Sequence, residues 1–170
     1  MTVFYIILLL ILIPTIYYLW YISISPNSGP VYVPSKDKEV EKMIHMAGLK
    51  KGDVVFDLGS GDGRLLFAAA KKGATATGYE IDPFLVLQTK KRARQLHLTD
   101  KVDVKLKNMW DADFNEADVI FVYLFPKFLG KLQKLLEENL THPVTVISND
   151  YQFPNKKYSK KDGKVYLYKF

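Results

Sequence analysis

No cysteine occurs in the 170 residues, so disulfides and thiolate metal sites are excluded, while a reducing compartment is permitted. The three histidines, His45, His97 and His142, are scattered and give no metal-ligand spacing. No Gly-Lys-Ser/Thr triplet is present, which rules out a Walker A phosphate loop. Charge is missing from the whole N-terminal stretch: no Asp, Glu, Lys or Arg precedes Lys36. All 24 basic and 18 acidic side chains, and the net charge of +6, therefore belong to residues 36–170. That part, about 135 residues long, is large enough to bury an ordinary core. No internal repeat is visible.

What the N-terminal stretch has instead is an apolar run. Val3 to Ile22 carries no charge and, as a helix, is roughly 30 Å long, the thickness of a bilayer's hydrocarbon core. Tyr17, Tyr18, Trp20 and Tyr21 gather at its C-terminal end as an interfacial aromatic belt, and Pro14 is expected to kink it. A cleaved signal peptide needs a basic start and a small-residue cleavage site, and neither is clear; no Arg-rich transit peptide precedes the run. The run is apolar on every face, which also disfavours a core helix. The expectation is a single-pass anchor over residues 1–24. Lys36, Lys38, Lys42, Lys50 and Lys51 follow it, so the positive-inside rule places the globular part in the cytoplasm.

Ser25 to Pro30 reads as linker, and Val31 to Ser35 as extended chain with Ser35 as a helix N-cap. Val40, Met43, Ile44 and Ala47 mark one helix face that stops at Gly48. From Asp53 the pattern alternates. Strands are expected over 54–58, 74–79, 102–106, 118–123 and 144–148, with helices over 64–72, 83–97 and 127–140 between them. Lys164 to Phe170 reads as a final edge strand. Asp82 caps the second of these helices and Pro83 opens it. Alternation of this kind implies a Rossmann-like α/β fold, a mainly parallel sheet with helices on both faces. Ligands of such sheets bind beyond the C-terminal strand ends.

The most telling stretch is Asp57-Leu58-Gly59-Ser60-Gly61-Asp62-Gly63, where a buried strand turns through glycine into a helix N-terminus. A dinucleotide site wants G-x-G-x-x-G, which puts glycine where this chain has Arg64. Asp62 inside the turn would repel a pyrophosphate. A ligand with a cationic end and no phosphate fits better.

Asp57 to Gly63 resembles motif I of class I S-adenosylmethionine-dependent methyltransferases, and the likeness covers about residues 31–170. It implies S-adenosylmethionine as cofactor. Glu80, at the end of the second strand, then stands where the family holds the ribose hydroxyls, with Ile81 beside it. Asn108 and Met109 stand where it contacts the adenine. Asp57 and Asp62 would face the ammonium and sulfonium end, and Gly59, Ser60, Gly61 and Gly63 would also belong to the cofactor site. Pro30-Val31-Tyr32-Val33-Pro34-Ser35 together with Gly78-Tyr79-Glu80 and the apolar anchor is similar to a narrower group. These are the membrane-anchored protein-lysine methyltransferases that act on the adenine nucleotide translocase and on the c-ring protein of ATP synthase, with their prokaryotic relatives. The resemblance makes Tyr32 and Pro34 part of a segment, 25–35, that links the anchor to the methyltransferase domain, 36–170, and covers the cofactor.

Methyl transfer requires an acceptor lone pair held in line, which is largely positioning. A lysine acceptor must also lose its proton. Tyr123, Phe125, Asn149, Asp150 and Tyr151 follow the fourth and fifth strands and are the pocket candidates, with no catalytic base assigned. A DNA adenine methylase would carry Asp/Asn-Pro-Pro-Tyr/Phe after the fourth strand, where this chain has Tyr123-Leu124-Phe125-Pro126, and no nucleic acid partner is expected. Two basic groups, Lys90, Lys91, Arg92 and Arg94, and Lys156, Lys157, Lys160, Lys161 and Lys164, suit a solvated face or contact with anionic lipid. Three readings stay open: lysine of a membrane or membrane-associated protein as acceptor; a lipid, quinone or small molecule as acceptor; and a non-catalytic cofactor-binding membrane module. A mitochondrial inner membrane is the alternative location.

Overall fold

The computed structural model describes residues 1–28 and 32–170, the stretch from 21 to 28 by its backbone alone. Helix α1 runs Thr2–Ser28. Its segment Thr2–Trp20, with a mean hydropathy of 2.3, is long and apolar enough to cross a membrane by length and composition. The Thr15 hydroxyl is satisfied locally, Oγ1 donating to the Ile11 carbonyl at 2.7 Å. Tyr17 and Trp20 lie with ring centres 6.0 Å apart. The linker expected from Ser25 instead continues the helix to Ser28. Extending a helix already nucleated by several turns is inexpensive, so polar residues at its end do not stop it at once. Residues 29–31 of that linker lie outside the described residues. The chain divides before Tyr32, and Tyr32–Phe170 is a compact unit of its own.

That unit is built on one seven-stranded sheet, β1 (Val54–Leu58), β2 (Thr75–Glu80), β3 (Val102–Leu106), β4 (Val119–Val122), β5 (Thr145–Asn149), β6 (Lys160–Asp162) and β7 (Val165–Lys169), in the order β3-β2-β1-β4-β5-β7-β6. β1 to β5 are parallel; β7 returns antiparallel to β5, and β6 antiparallel to β7. The last strand is therefore not an edge. Its free side is covered by β6, whose Lys-Lys-Asp side chains are all exposed. An edge made of charge resists pairing with another chain and carries no apolar pattern by which a sequence reveals it.

Side chains alternate between the two faces. Val55, Ala76, Phe121 and Ile147 pack under α2 (Asp37–Ala47), α3 (Arg64–Lys71) and α4 (Pro83–Gln95), while Phe56, Leu58, Ile120 and Val122 pack under α5 (Pro126–Asn139). Between β3 and β4 stand only two short 3-10 turns, Met109–Asp111 and Phe114–Glu116. α5 buries Phe128, Leu129, Leu132 and Leu136. Leu135 is only half-buried, whereas Gln133 is buried. It can be, because its amide is satisfied: it donates to Glu137 Oε1 at 3.0 Å and accepts from the Asn155 N–H at 3.2 Å.

Side-chain chemistry sets some helix ends and not others. Asp82 caps α4, accepting from Phe84 N at 2.8 Å, and Pro83 follows it. Gly48 ends α2 in the left-handed region, at φ 60°. Ser35, however, does not cap α2. The N-cap is Lys36, without a side-chain bond, and the Ser35 hydroxyl is turned inward to other partners.

Candidate active site

Leu58 ends β1 pointing into the core, and the chain leaves it through Gly59, Gly61 and Gly63 at φ 83°, 53° and 75°. Three left-handed residues in alternation are open to glycine and strained for anything with a Cβ. The turn is pinned to β2, because Gly59 N and Ser60 N both donate to the Tyr79 carbonyl, at 2.9 and 3.1 Å. Gly63 N closes it on the Ser60 carbonyl at 3.0 Å, and α3 starts at the next residue. From the α4 side, the buried Thr89 hydroxyl donates to the Gly61 carbonyl at 3.2 Å, and a Cβ on Gly63 would meet its methyl. A second close approach is at Gly78 on β2, where a Cβ would run into the Ser60 side chain.

Carboxylates surround this turn in three different states. Glu80, at the end of β2, accepts from Gly61 N at 2.9 Å through Oε2, and from Ile81 N at 2.8 Å and Asp82 N at 2.9 Å through Oε1. Burial pushes its carboxyl above the usual range, and the three N–H donors pull it partly back. Asp57 is buried at the end of β1 without a hydrogen bond among the described residues; burial first, then Glu80 and Asp62, push its carboxyl up to about 8. Asp62 is the opposite case. Burial would raise it, but Arg64 holds it below the usual range through a fork, Nε to Oδ1 at 2.9 Å and a terminal nitrogen to Oδ2 at 2.8 Å. The Ser60 hydroxyl, also buried, has no hydrogen-bond partner among the described residues. A buried carboxyl and a buried hydroxyl left without partners beside a glycine turn are what a ligand with an ammonium and hydroxyl groups would satisfy.

Arg64 has a further use that its absence from the glycine pattern does not announce. It also donates to the Ser35 carbonyl and stands 3.7 Å from Asp37, so it fastens the segment before α2 onto the turn. Tyr32 of that segment lies against Gly61, where a Cβ would strike its ring. Burial and the nearby Asp62 raise its phenol, while the Arg64 guanidinium it meets lowers it. The Ser35 hydroxyl accepts from Asn149 Nδ2 at 3.3 Å. Through Ser35 the segment before α2 thus reaches both β1's turn and the end of β5. Pro34 is exposed on this segment.

The expected residues beyond β3 take structural parts in the described molecule. Asn108 accepts from Trp110 N at 3.2 Å and caps the first 3-10 turn, and Met109 is buried in the core below it. The expected residues beyond β4 and β5 do come together. Tyr123 donates to Asp150 Oδ2 at 3.3 Å. Tyr151 stacks on Tyr123 with ring centres 6.3 Å apart, and Phe125 lies 5.7 Å from Tyr151. Asp150 is a non-glycine residue at φ 69°, a conformation that non-glycine residues hold only when their surroundings enforce it. Lys164 reads in the sequence only as part of a basic run, yet its Nζ sits 2.7 Å from Asp150 Oδ1. Other cations of the two basic groups are also engaged. Arg92 stands over Phe67, Lys156 over Phe170, and Lys161 over Tyr166.

Residues 57–160 match the ANTKMT methyltransferase domain family. The chain is 34% identical over 124 residues to the Homo sapiens lysine N-methyltransferase of the ATP synthase c-ring protein, covering 73% of this chain and 53% of that protein. It thus spans about half the length of the animal relatives it matches. A protein-lysine N-methyltransferase of Saccharolobus islandicus is 29% identical over 147 residues, covering 81% of this chain and 91% of the relative. Among solved structures, an RNA methyltransferase of Salinibacter ruber in complex with S-adenosyl-L-homocysteine superposes with a TM-score of 0.77 at 34% identity, over 81% of this chain and 93% of that one.

Proposed function

Because the chain belongs to the ANTKMT methyltransferase domain family, we propose that it is a membrane-anchored, S-adenosylmethionine-dependent methyltransferase whose acceptor is a lysine of a membrane or membrane-associated protein. The observation that carries the cofactor is the pair of buried carboxyls at the glycine turn, Asp57 without a partner and Glu80 oriented by three N–H donors. The residues present fit the cofactor. Glu80 is aimed by its three N–H donors and keeps acceptor capacity on Oε2 for a ribose hydroxyl, Asp57 is placed for an ammonium, and the orphaned Ser60 hydroxyl can donate or accept. Ile81, Asn108 and Met109 would wall the base. When bound, the cofactor supplies a methyl group on a cationic sulfonium.

The chain's own work is then to cover and align. Tyr32 covers the turn, and Arg64 holds that cover down by its Ser35 bond. Tyr123, Phe125 and Tyr151 form an aromatic cluster at the ends of β4 and β5, and Tyr123 and Asp150 offer a hydroxyl and a carboxylate to the acceptor amine. Alignment of an acceptor lone pair in such a site accounts for much of the rate of a displacement. The lysine reading rests on the names of the relatives and on this carboxylate. The membrane reading rests on α1, with the lysines that follow it favouring a cytoplasmic domain, or the matrix side if the membrane is mitochondrial. Anionic lipid at Lys90, Lys91 and Arg94 is consistent with it.

Binding is the first test. S-adenosylhomocysteine is expected to raise the melting temperature and NAD is not. Glu80→Ala should weaken S-adenosylhomocysteine about 10- to 100-fold, the worth of hydrogen bonds to a charged group. Stabilisation by NAD alone would overturn the cofactor assignment.

A further inference from the structure

Lys164 follows Gly163 at the tip of the β6–β7 hairpin. Its backbone and side chain both address Asp150: the Lys164 carbonyl accepts from Asp150 N, and its Nζ reaches Oδ1, each at 2.7 Å. The other carboxylate oxygen of Asp150 is taken by the Tyr123 hydroxyl, and Tyr151 is stacked beside it. A primary ammonium on a carboxylate that a tyrosine hydroxyl also holds, beside a stacked aromatic pair, is an arrangement that suits a bound lysine side chain. It stands at the C-terminal ends of β4 and β5, next to β1 and its glycine turn in the sheet order.

Resting on the lysine-acceptor reading above, we propose that Asp150, with Tyr123 and Tyr151, is the seat of the acceptor lysine's ammonium, and that Lys164 fills this seat in cis until a substrate lysine displaces it.

The contact is well suited to displacement. The Lys164 side chain is 74% exposed, so its ion pair is screened and its release recovers rotamer freedom. The carboxylate side chain is only 24% exposed, so the seat keeps its shape when the occupant leaves. Asp150 is also held by its backbone bond and by Tyr123, neither of which needs the Lys164 ammonium. An internal ligand raises the apparent KM for an external lysine by the factor by which it reduces the free seat, with no effect on turnover once the substrate is in place. It also keeps the carboxylate from capturing stray cations when no substrate is present.

The test uses the full chain in detergent, labelled S-adenosylmethionine, and the peptide acetyl-Leu-Lys-Leu-amide as acceptor. Initial rates are measured against peptide concentration for wild type, Lys164→Gln, Lys164→Arg and Asp150→Asn. Asparagine tolerates the left-handed backbone, so the last variant removes charge without straining the turn. Lys164→Gln should lower KM three- to tenfold at unchanged kcat, Lys164→Arg should stay near wild type, and Asp150→Asn should raise KM at least tenfold. A KM for Lys164→Gln equal to or above wild type, with Asp150→Asn still raising it, overturns the in-cis occupancy and leaves the lysine seat standing. An unchanged KM in Asp150→Asn overturns the seat, and no transfer to the peptide by any of the four proteins overturns the lysine reading beneath it.

Discussion

Asp57 is where the physics of single residues is sharpest. In the folded chain its carboxyl keeps a proton up to about pH 8, whereas in the unfolded chain it loses that proton near its ordinary value of 3.8. Between these limits the folded state binds the extra proton, so stability falls as pH rises through the window and levels off above it. Asp57→Asn should remove this dependence: its melting temperature should exceed that of wild type at pH 8 and match it near pH 4. A cationic ammonium placed beside Asp57 reverses the preference and favours the carboxylate. S-adenosylhomocysteine should therefore bind more tightly as pH rises from 6 to 8 and release a proton on binding, which calorimetry in buffers of different ionisation heat measures. A melting curve for Asp57→Asn parallel to wild type across this range would remove Asp57 as an unpaired buried acid. Arg64 illustrates the limit of reading residues singly. As a sequence letter it only breaks a dinucleotide pattern; its fork to Asp62 and its hold on Ser35 need the folded turn to bring residues 29 positions apart together.

Among elements, those with an apolar pattern are legible in the sequence and those without are not. The strands 54–58 and 102–106 are read to the residue because a buried parallel strand is a continuous or alternating apolar run with turn residues at its ends. β6 escapes because all three of its residues are charged and exposed, and its existence depends on pairing with β7. The site divides in the same way. The glycine turn and Glu80 are local features, spaced by one strand-helix-strand unit, and both stand where expected. The meeting of Tyr123, Asp150 and Lys164 depends on the antiparallel register of β5 and β7, which sets Asn149 opposite Val165 and which no short-range signal encodes. α5 carries its share of the core on four apolar side chains, and Leu132 is fully buried among them. Leu132→Ala should cost about 2–5 kcal/mol of stability in denaturant unfolding and leave the affinity for S-adenosylhomocysteine within about twofold, because it empties core volume on the face opposite α3. A loss below about 1 kcal/mol would mean that this face packs more loosely than its burial implies.

For the whole molecule the two units divide the labour that the composition announces. The charge-free helix is long enough to hold the chain in a bilayer, and the charged compact unit carries the site. The proposed anchoring would replace a search in three dimensions by one in two. That economy is consistent with an acceptor that is itself in or on the membrane. The most direct measurement takes membranes carrying the full chain, supplies S-adenosylmethionine labelled in its methyl group, and separates protein, lipid and RNA. Label is expected in methyl-lysine of membrane protein, abolished by Asp57→Ala and by Glu80→Ala. Label in extracted lipid or RNA, or no transfer by a chain that binds S-adenosylhomocysteine tightly, would contradict a membrane-anchored lysine methyltransferase.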